Sequence, residues 1–267
     1  YQGSLTGYEP HAETVALQEV KNAARREVMG KSYERFLRIA AVAILFIFCI
    51  VVTAVTSPAD SRAGVVNINT STKGNTYGEW SGRWWQWLLA IPADVNPNLD
   101  ETGADCAEGQ SGKVWFLAGT FGEVPVVRSC TVPKGTFLFF PILNSLFGAA
   151  VGDCQPSNPE VVCNLNDLRE SAAAQQNNPT KLRLNVDGVV MTRPDLIVQR
   201  TTSPAIDITL PEGNLLGLDP GVYSPHVSDG FWIMLQPLPP GAHTIRFIGT
   251  AAGGFGVDIK YNLTVSP

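Results

Sequence analysis

Hydrophobic and polar positions divide the chain into two regimes. Residues Ile39 to Val55 form one uncharged apolar run of 17 residues. As a helix that run is roughly 26 Å long. Thr56 and the snorkelling stem of Arg38 bring it close to the ~30 Å of a bilayer core. The competing reading is a signal-peptide core cleaved near Ser61-Arg62-Ala63. The run is longer than such cores, and the 38 residues before it make a long leading segment, so a retained anchor is expected. Beyond it the pattern becomes short and strand-like. Leu182, Leu184 and Val186 alternate with polar residues, as do Ile206, Ile208 and Leu210, and Val257, Ile259, Tyr261, Leu263 and Val265. Lys113–Phe121, Val124–Val132, Thr136–Leu143, Phe231–Leu235 and Thr244–Ile248 read as further strands. Pro133-Lys134-Gly135, Asp187-Gly188 and Pro239-Pro240-Gly241 supply turns, and Asp187-Gly188 suits a tight hairpin.

Two segments carry helical spacing. Trp80, Trp84, Leu88 and Ile91 lie on one helix face, and Pro92 ends the run. Trp85 and Trp87 point elsewhere. Either all four tryptophans lock the helix onto the core, or Trp85 and Trp87 meet a partner or the membrane interface, where indoles are favoured. Leu165–Gln176 is the second helix, capped by Asn164 or Asn166 and ending before Pro179. The expected fold is mainly β: a single N-terminal transmembrane helix, then an extracytoplasmic β-sandwich with one or two short helices. The chain divides into a tail (1–38), a transmembrane helix (39–56), a linker (57–76) and an outer domain (77–267). The linker ends in an extended stretch around Val65-Val66-Asn67-Ile68.

Charge sets the orientation. Lys21, Arg25, Arg26, Lys31, Arg35 and Arg38 precede the apolar run, and only Arg62 and Lys73 follow it closely. The positive-inside rule places the tail in the cytoplasm and the outer domain in the periplasm of a bacterial inner membrane. Leu17, Val20, Ala24 and Val28 recur at helical spacing within the tail. They form either an amphipathic helix on the inner membrane surface or against a partner, or a solvated helix. Residues 39–55 contain no His, Asp, Glu, Lys or Arg, so the segment reads as an anchor without a transport path or an imidazole ligand for haem or pigment. Cys49 is read as a small buried hydrophobe. A net charge of −5 and the lack of a long basic run give nucleic-acid binding no support.

Four cysteines lie in the outer domain: Cys106, Cys130, Cys154 and Cys163. An even count in an oxidising compartment reads as two disulfides. Three connectivities exist, and Cys106–Cys130 with Cys154–Cys163 closes the shortest loops. No Cys-x-x-Cys favours the rival metal or redox site.

One stretch resembles a known group. Trp-Ser-Gly-Arg-Trp-Trp-Gln-Trp at 80–87, Cys-Ala-Glu-Gly-Gln-Ser-Gly at 106–112, Trp-Phe-Leu-Ala-Gly-Thr-Phe-Gly at 115–122 and Arg-Ser-Cys-Thr-Val-Pro at 128–133 are its marks. With Phe139-Phe140-Pro141-Ile142 and Pro-Gly-Ala-His-Thr-Ile at 240–245, they make the outer domain similar to a family of uncharacterised bacterial secreted proteins. The family brings no activity. Its members are exported by signal peptides, so the retained anchor here implies recruitment to a membrane assembly.

Motifs for chemistry are sparse. The histidines are His11, His226 and His243. Gly109-Gln110-Ser111-Gly112 departs from the nucleophile elbow. His226 near Asp229, in a loop rich in turn residues, is the strongest catalytic candidate, although one His and one Asp fall short of a constellation. Asp94, Asp100, Glu101, Asp105 and Glu108 supply the oxygen ligands calcium takes, but at no EF-hand spacing, so a solvated acidic loop is favoured. Asn69-Thr70-Ser71 and Asn262-Leu263-Thr264 match the glycosylation sequon, which has no use in most bacteria.

The functional expectation is a non-catalytic accessory or structural subunit of a bacterial membrane complex, with no cofactor. A photosynthetic reaction-centre and antenna assembly or a respiratory complex are plausible hosts. Its partners are the bilayer and neighbouring subunits, met through Trp85, Trp87, Leu17 and Val20 among others. The alternatives are a membrane-tethered ligand- or carbohydrate-binding module and an enzyme built on His226 and Asp229.

Overall fold

The computed structural model describes residues 62–122, 125–152 and 164–267. The tail, the apolar run 39–56 and its flanks, and Cys154 and Cys163 lie outside them. Among the described residues no helix is long and apolar enough to cross a membrane.

The described domain is mainly β. Its strands are β1 (Val114–Phe116), β2 (Val126–Val132), β3 (Phe137–Gly148), β4 (Lys181–Val186), β5 (Val189–Thr192), β6 (Arg200–Thr202), β7 (Ile206–Leu210), β8 (Gly221–Leu235), β9 (Gly241–Thr250) and β10 (Gly256–Val265). Helices α1 (Tyr77–Leu89), α2 (Leu165–Gln175) and α3 (Arg193–Leu196) join them. The first sheet runs β1-β3-β8-β6, with β7 also paired to β8. The second runs β2-β10-β9-β4-β5. β1 on β3 and β2 on β10 are parallel, and the other pairings are antiparallel.

The two sheets enclose one core. Leu138, Phe140 and Ile142 of β3 and Phe231, Ile233 and Leu235 of β8 meet Leu182, Leu184, Ile245, Phe247 and Tyr261 of the second sheet. Phe140 stacks on Phe247 at 4.8 Å. The alternate positions of the same strands, Phe139, Trp232 and Met234, face the opposite way into a second cluster under α1. β3 and β8 are thus covered on both sides, which is why their apolar residues run consecutively. Pro141, which has no amide to donate, sits where the β3–β8 register shifts.

α1 starts where the sequence provides a cap. The Thr76 hydroxyl accepts from the Glu79 amide at 3.3 Å, and the Glu79 carboxylate accepts from the Thr76 amide at 2.7 Å. This is a capping box, and those bonds hold the Glu79 carboxyl below its usual range. Gly78 and Gly82 let the helix lie close to its neighbours. A Cβ on Gly78 would stand 2.7 Å from the Thr202 carbonyl oxygen, and one on Gly82 2.8 Å from the Ile206 methyl.

The tight hairpin at Asp187-Gly188 is present, both residues having positive φ (49° and 88°), as a primed turn demands. The helix at 165 is capped by the Asn164 side chain, which accepts from the Asn166 amide. Four features differ from expectation. The 113–121 strand is only Val114–Phe116, because the Ala118 and Gly119 carbonyls turn away to accept from Arg128. The turn-rich segment around His226 is not a loop: it is the middle of β8, where His226 Nε2, Ser228 and Asp229 meet tertiary partners. The short strands β5 and β6 lack any legible alternation and were not anticipated. Val65, in the expected linker, bridges to Leu235 and is buried in the core.

Candidate functional site

His226 and Asp229 belong to β8 but do not act together. Three residues apart on a strand, they face opposite sides of the sheet. His226 is fully buried, and its Nε2 accepts from the Ala150 amide at 2.8 Å. The ring proton therefore sits on Nδ1, the neutral tautomer. Burial pushes its pKa down to about 4, against smaller opposing effects of the Tyr223 carbonyl and Asp207. Gly148 packs on this ring so closely that a Cβ would lie 2.5 Å from it. Asp229, also buried, accepts from Arg200 Nε at 2.7 Å and from the Thr202 hydroxyl at 2.5 Å. Both groups serve as internal fastenings of β8.

His243 is a different case. Its Nδ1 meets the Asp187 carboxylate at 2.6 Å and its Nε2 meets the Pro239 carbonyl at 2.8 Å. Partial burial lowers its pKa, but these two acceptors outweigh that and raise it. The ring joins the β4–β5 turn to the start of β9. A shallow groove of about 420 Å³ beside it follows small polar residues of the second sheet's outer face, among them Ser129, Asn262 and Thr264.

The tryptophans of α1 build the more pointed feature. Trp84 is 2% exposed; it packs on Trp232 at 5.5 Å and donates to the Leu117 carbonyl. Trp80 and Trp87, one turn to either side, are 9% and 8% exposed. Their indole N–H groups are fixed on the Thr72 and Glu108 carbonyls at 2.8 and 2.9 Å. Phe116 stands between them, 6.0 Å from the Trp80 ring and 5.3 Å from the Trp87 ring. These rings and Ile91 floor a cleft of about 500 Å³ between α1 and the segment 109–116, with exposed Arg83, Gln86 and Lys113 along its rim.

The far wall of this cleft is braced. Gln110 donates to the Cys106 and Phe116 carbonyls at 3.1 and 2.8 Å and accepts from the Phe116 amide at 2.9 Å. The Cys106–Cys130 disulfide ties the loop to β2. Gly109, with φ +63°, lies against Trp87, where a Cβ would stand 3.1 Å from the indole ring. Trp87 thus lines the cleft. Trp85 is half-buried and donates to the Ser228 hydroxyl at 3.1 Å.

Arg128, in the Arg-Ser-Cys segment, was not singled out from sequence. It is 1% exposed, and its guanidinium donates to the carbonyls of Asp100, Ala118, Gly119 and Asn98 and to the Tyr261 hydroxyl. It joins the acidic loop to the second sheet. The Asp100 carboxylate in turn accepts from the amides of Thr102 and Asp105. Among the described residues no group of three or more His, Cys, Asp or Glu is placed to hold a metal ion. The rim cations were also missed. The spacing of Trp80, Arg83 and Trp87 was the available signal; Trp87 shares the Trp80 and Trp84 cluster, which corrects the expectation that it points elsewhere. Leu17 and Val20 lie outside the described residues.

No family model, curated protein or solved structure matches this chain.

Proposed function

We propose that this chain is a non-catalytic accessory protein of the bacterial inner membrane, anchored by residues 39–56 and acting through its periplasmic domain by binding. The observation that carries this reading is the commitment of His226 and Asp229 to separate structural bonds on opposite faces of β8. The side chains with the best claim to acid–base chemistry are inside the fold, without access to a substrate. An uncharged run long enough to span a bilayer, and six basic residues ahead of it, support the anchor and its orientation. The Cys106–Cys130 disulfide fits an oxidising compartment.

As a subunit of a larger assembly, respiratory or photosynthetic, the protein would be recovered from native membranes in mild detergent with a fixed set of partners at constant stoichiometry. Mass spectrometry of the co-purified material tests this. Recovery of the chain alone from several gentle detergents would count against it.

A second reading, a membrane-tethered ligand-binding module, is favoured by the aromatic cleft between α1 and 109–116. Its size falls within the range of small-molecule sites, roughly 300–1,000 Å³.

A further inference from the structure

We propose that the cleft between α1 and the segment 109–116 binds a small organic anion with a flat apolar body, of the aryl carboxylate class. The inference deepens the binding-module reading and rests on it.

The floor selects the apolar body. Trp80, Trp87, Phe116 and Ile91 line it. The indole N–H groups already donate to backbone carbonyls, so the floor asks for no polar partner. A flat hydrocarbon fits such a floor, gaining edge-to-face contacts and displacing water from apolar surface.

The rim selects the charge. Arg83 and Lys113 line the mouth, and no carboxylate does. The Arg83 guanidinium lies 5.6 Å from the Trp80 ring centroid, which holds it over the mouth. Glu79, one turn earlier on α1, has its carboxylate hydrogen-bonded by the Thr76 amide and hydroxyl at 2.7 and 2.9 Å, and the Arg83 charge acts on it only as a smaller effect. Two cations thus converge on one concave site of a chain whose net charge is −5. A carboxylate there accepts charge-assisted hydrogen bonds from either cation.

The walls are set before any ligand arrives. The capping box fixes α1, and Gln110 and the disulfide fix the facing loop. Such preorganisation lowers the entropy lost on binding.

The test uses the full chain in zwitterionic lipid nanodiscs and isothermal titration calorimetry with 2-naphthoate, its neutral analogue 2-naphthamide, and empty nanodiscs as blank. The inference expects saturable one-to-one binding of 2-naphthoate. It expects binding weaker by about tenfold or more for 2-naphthamide, and for naphthoate on the Arg83→Gln/Lys113→Gln variant. Ala90→Trp, which fills the mouth from an exposed position, should abolish binding while the melting midpoint stays that of the wild type. Equal affinity for naphthoate and naphthamide, unaffected by the double variant but lost in Ala90→Trp, would overturn the anionic class and leave the binding-module reading standing. No saturable binding of either probe would overturn both.

Discussion

The Nε2 of His226 accepts the Ala150 amide, joining the middle of β8 to the turn that follows β3. An imidazole that accepts at Nε2 cannot be protonated there without losing this bond. In the folded chain it stays neutral down to about pH 4. In the unfolded chain it takes up a proton near pH 6.5. Between those values the unfolded state holds the extra proton, so stability falls as pH drops from about 6.5 toward 4. His243 works in the opposite sense. Its raised pKa adds stability that is full below about pH 6.5 and is lost as pH rises through the folded value. Urea unfolding of His226→Gln should show a flatter acid limb than the wild type, and His243→Gln a flatter response above neutrality. Unchanged curves in both would refute the assignment.

Arg128 holds four backbone carbonyls and the Tyr261 hydroxyl in a buried site. Arg128→Met would leave the Asp100, Gly119 and Asn98 carbonyls without this donor, at about 1–3 kcal/mol for each buried group that water cannot reach, while the Ala118 carbonyl keeps the Tyr261 hydroxyl. Arg128→Lys should recover little, since an ammonium lacks the planar fork that reaches several carbonyls at once. Both variants are expected to lose at least about 3 kcal/mol in denaturant titrations. A loss below about 1 kcal/mol would show that solvent replaces the guanidinium.

Gly78 offers a test of the helix–sheet distance. In an isolated helix, alanine in place of glycine gains about 1 kcal/mol. Here the added Cβ meets the Thr202 carbonyl oxygen, a backbone atom that cannot turn aside. Gly78→Ala should therefore destabilise the domain by about 1–3 kcal/mol, as overpacking does. Gly82→Ala, whose Cβ meets the Ile206 side chain, should cost less. Thermal melts of the two variants give the comparison, and a stabilised Gly78→Ala would mean that α1 stands farther from β6.

Loss of the disulfide should act on both stability and the cleft. Cys106 and Cys130 are 24 residues apart, a loop whose closure stabilises by about 3 kcal/mol in the chain-entropy account. Cys106→Ala/Cys130→Ala should lower the melting midpoint and speed hydrogen exchange at the Phe116 amide, which Gln110 otherwise holds. Exchange as slow as in the wild type would show that Gln110 suffices to fix the wall.

The parts of this fold most readable in the sequence bury a single face, while Phe137–Leu143 of β3 and Phe231–Leu235 of β8 stood out as continuous apolar runs covered on both sides. Leu182, Leu184 and Val186, and the alternating residues of β10, are half-buried strands with a period of two. The α1 tryptophans show helical spacing because one stripe meets the sheet. The first ten residues of β8 escaped for the opposite reason. His226 Nε2, Ser228 and Asp229 are buried polar groups that meet Ala150, Trp85, Arg200 and Thr202, partners far away in sequence. The cleft was half legible. Its tryptophans stand out, but its rim combines Arg83 of α1 with Lys113 of a distant segment, and only the fold brings them together.

The proposed anchor and its orientation underlie the proposed function, and epitope accessibility in spheroplasts tests them most directly. With one tag ahead of residue 1 and another after Pro267, the C-terminal tag should bind antibody on intact spheroplasts. The N-terminal tag should do so only after permeabilisation, and the chain should stay in the membrane through an alkaline carbonate wash. A chain released by that wash, or an N-terminal tag exposed on intact spheroplasts, would contradict the account.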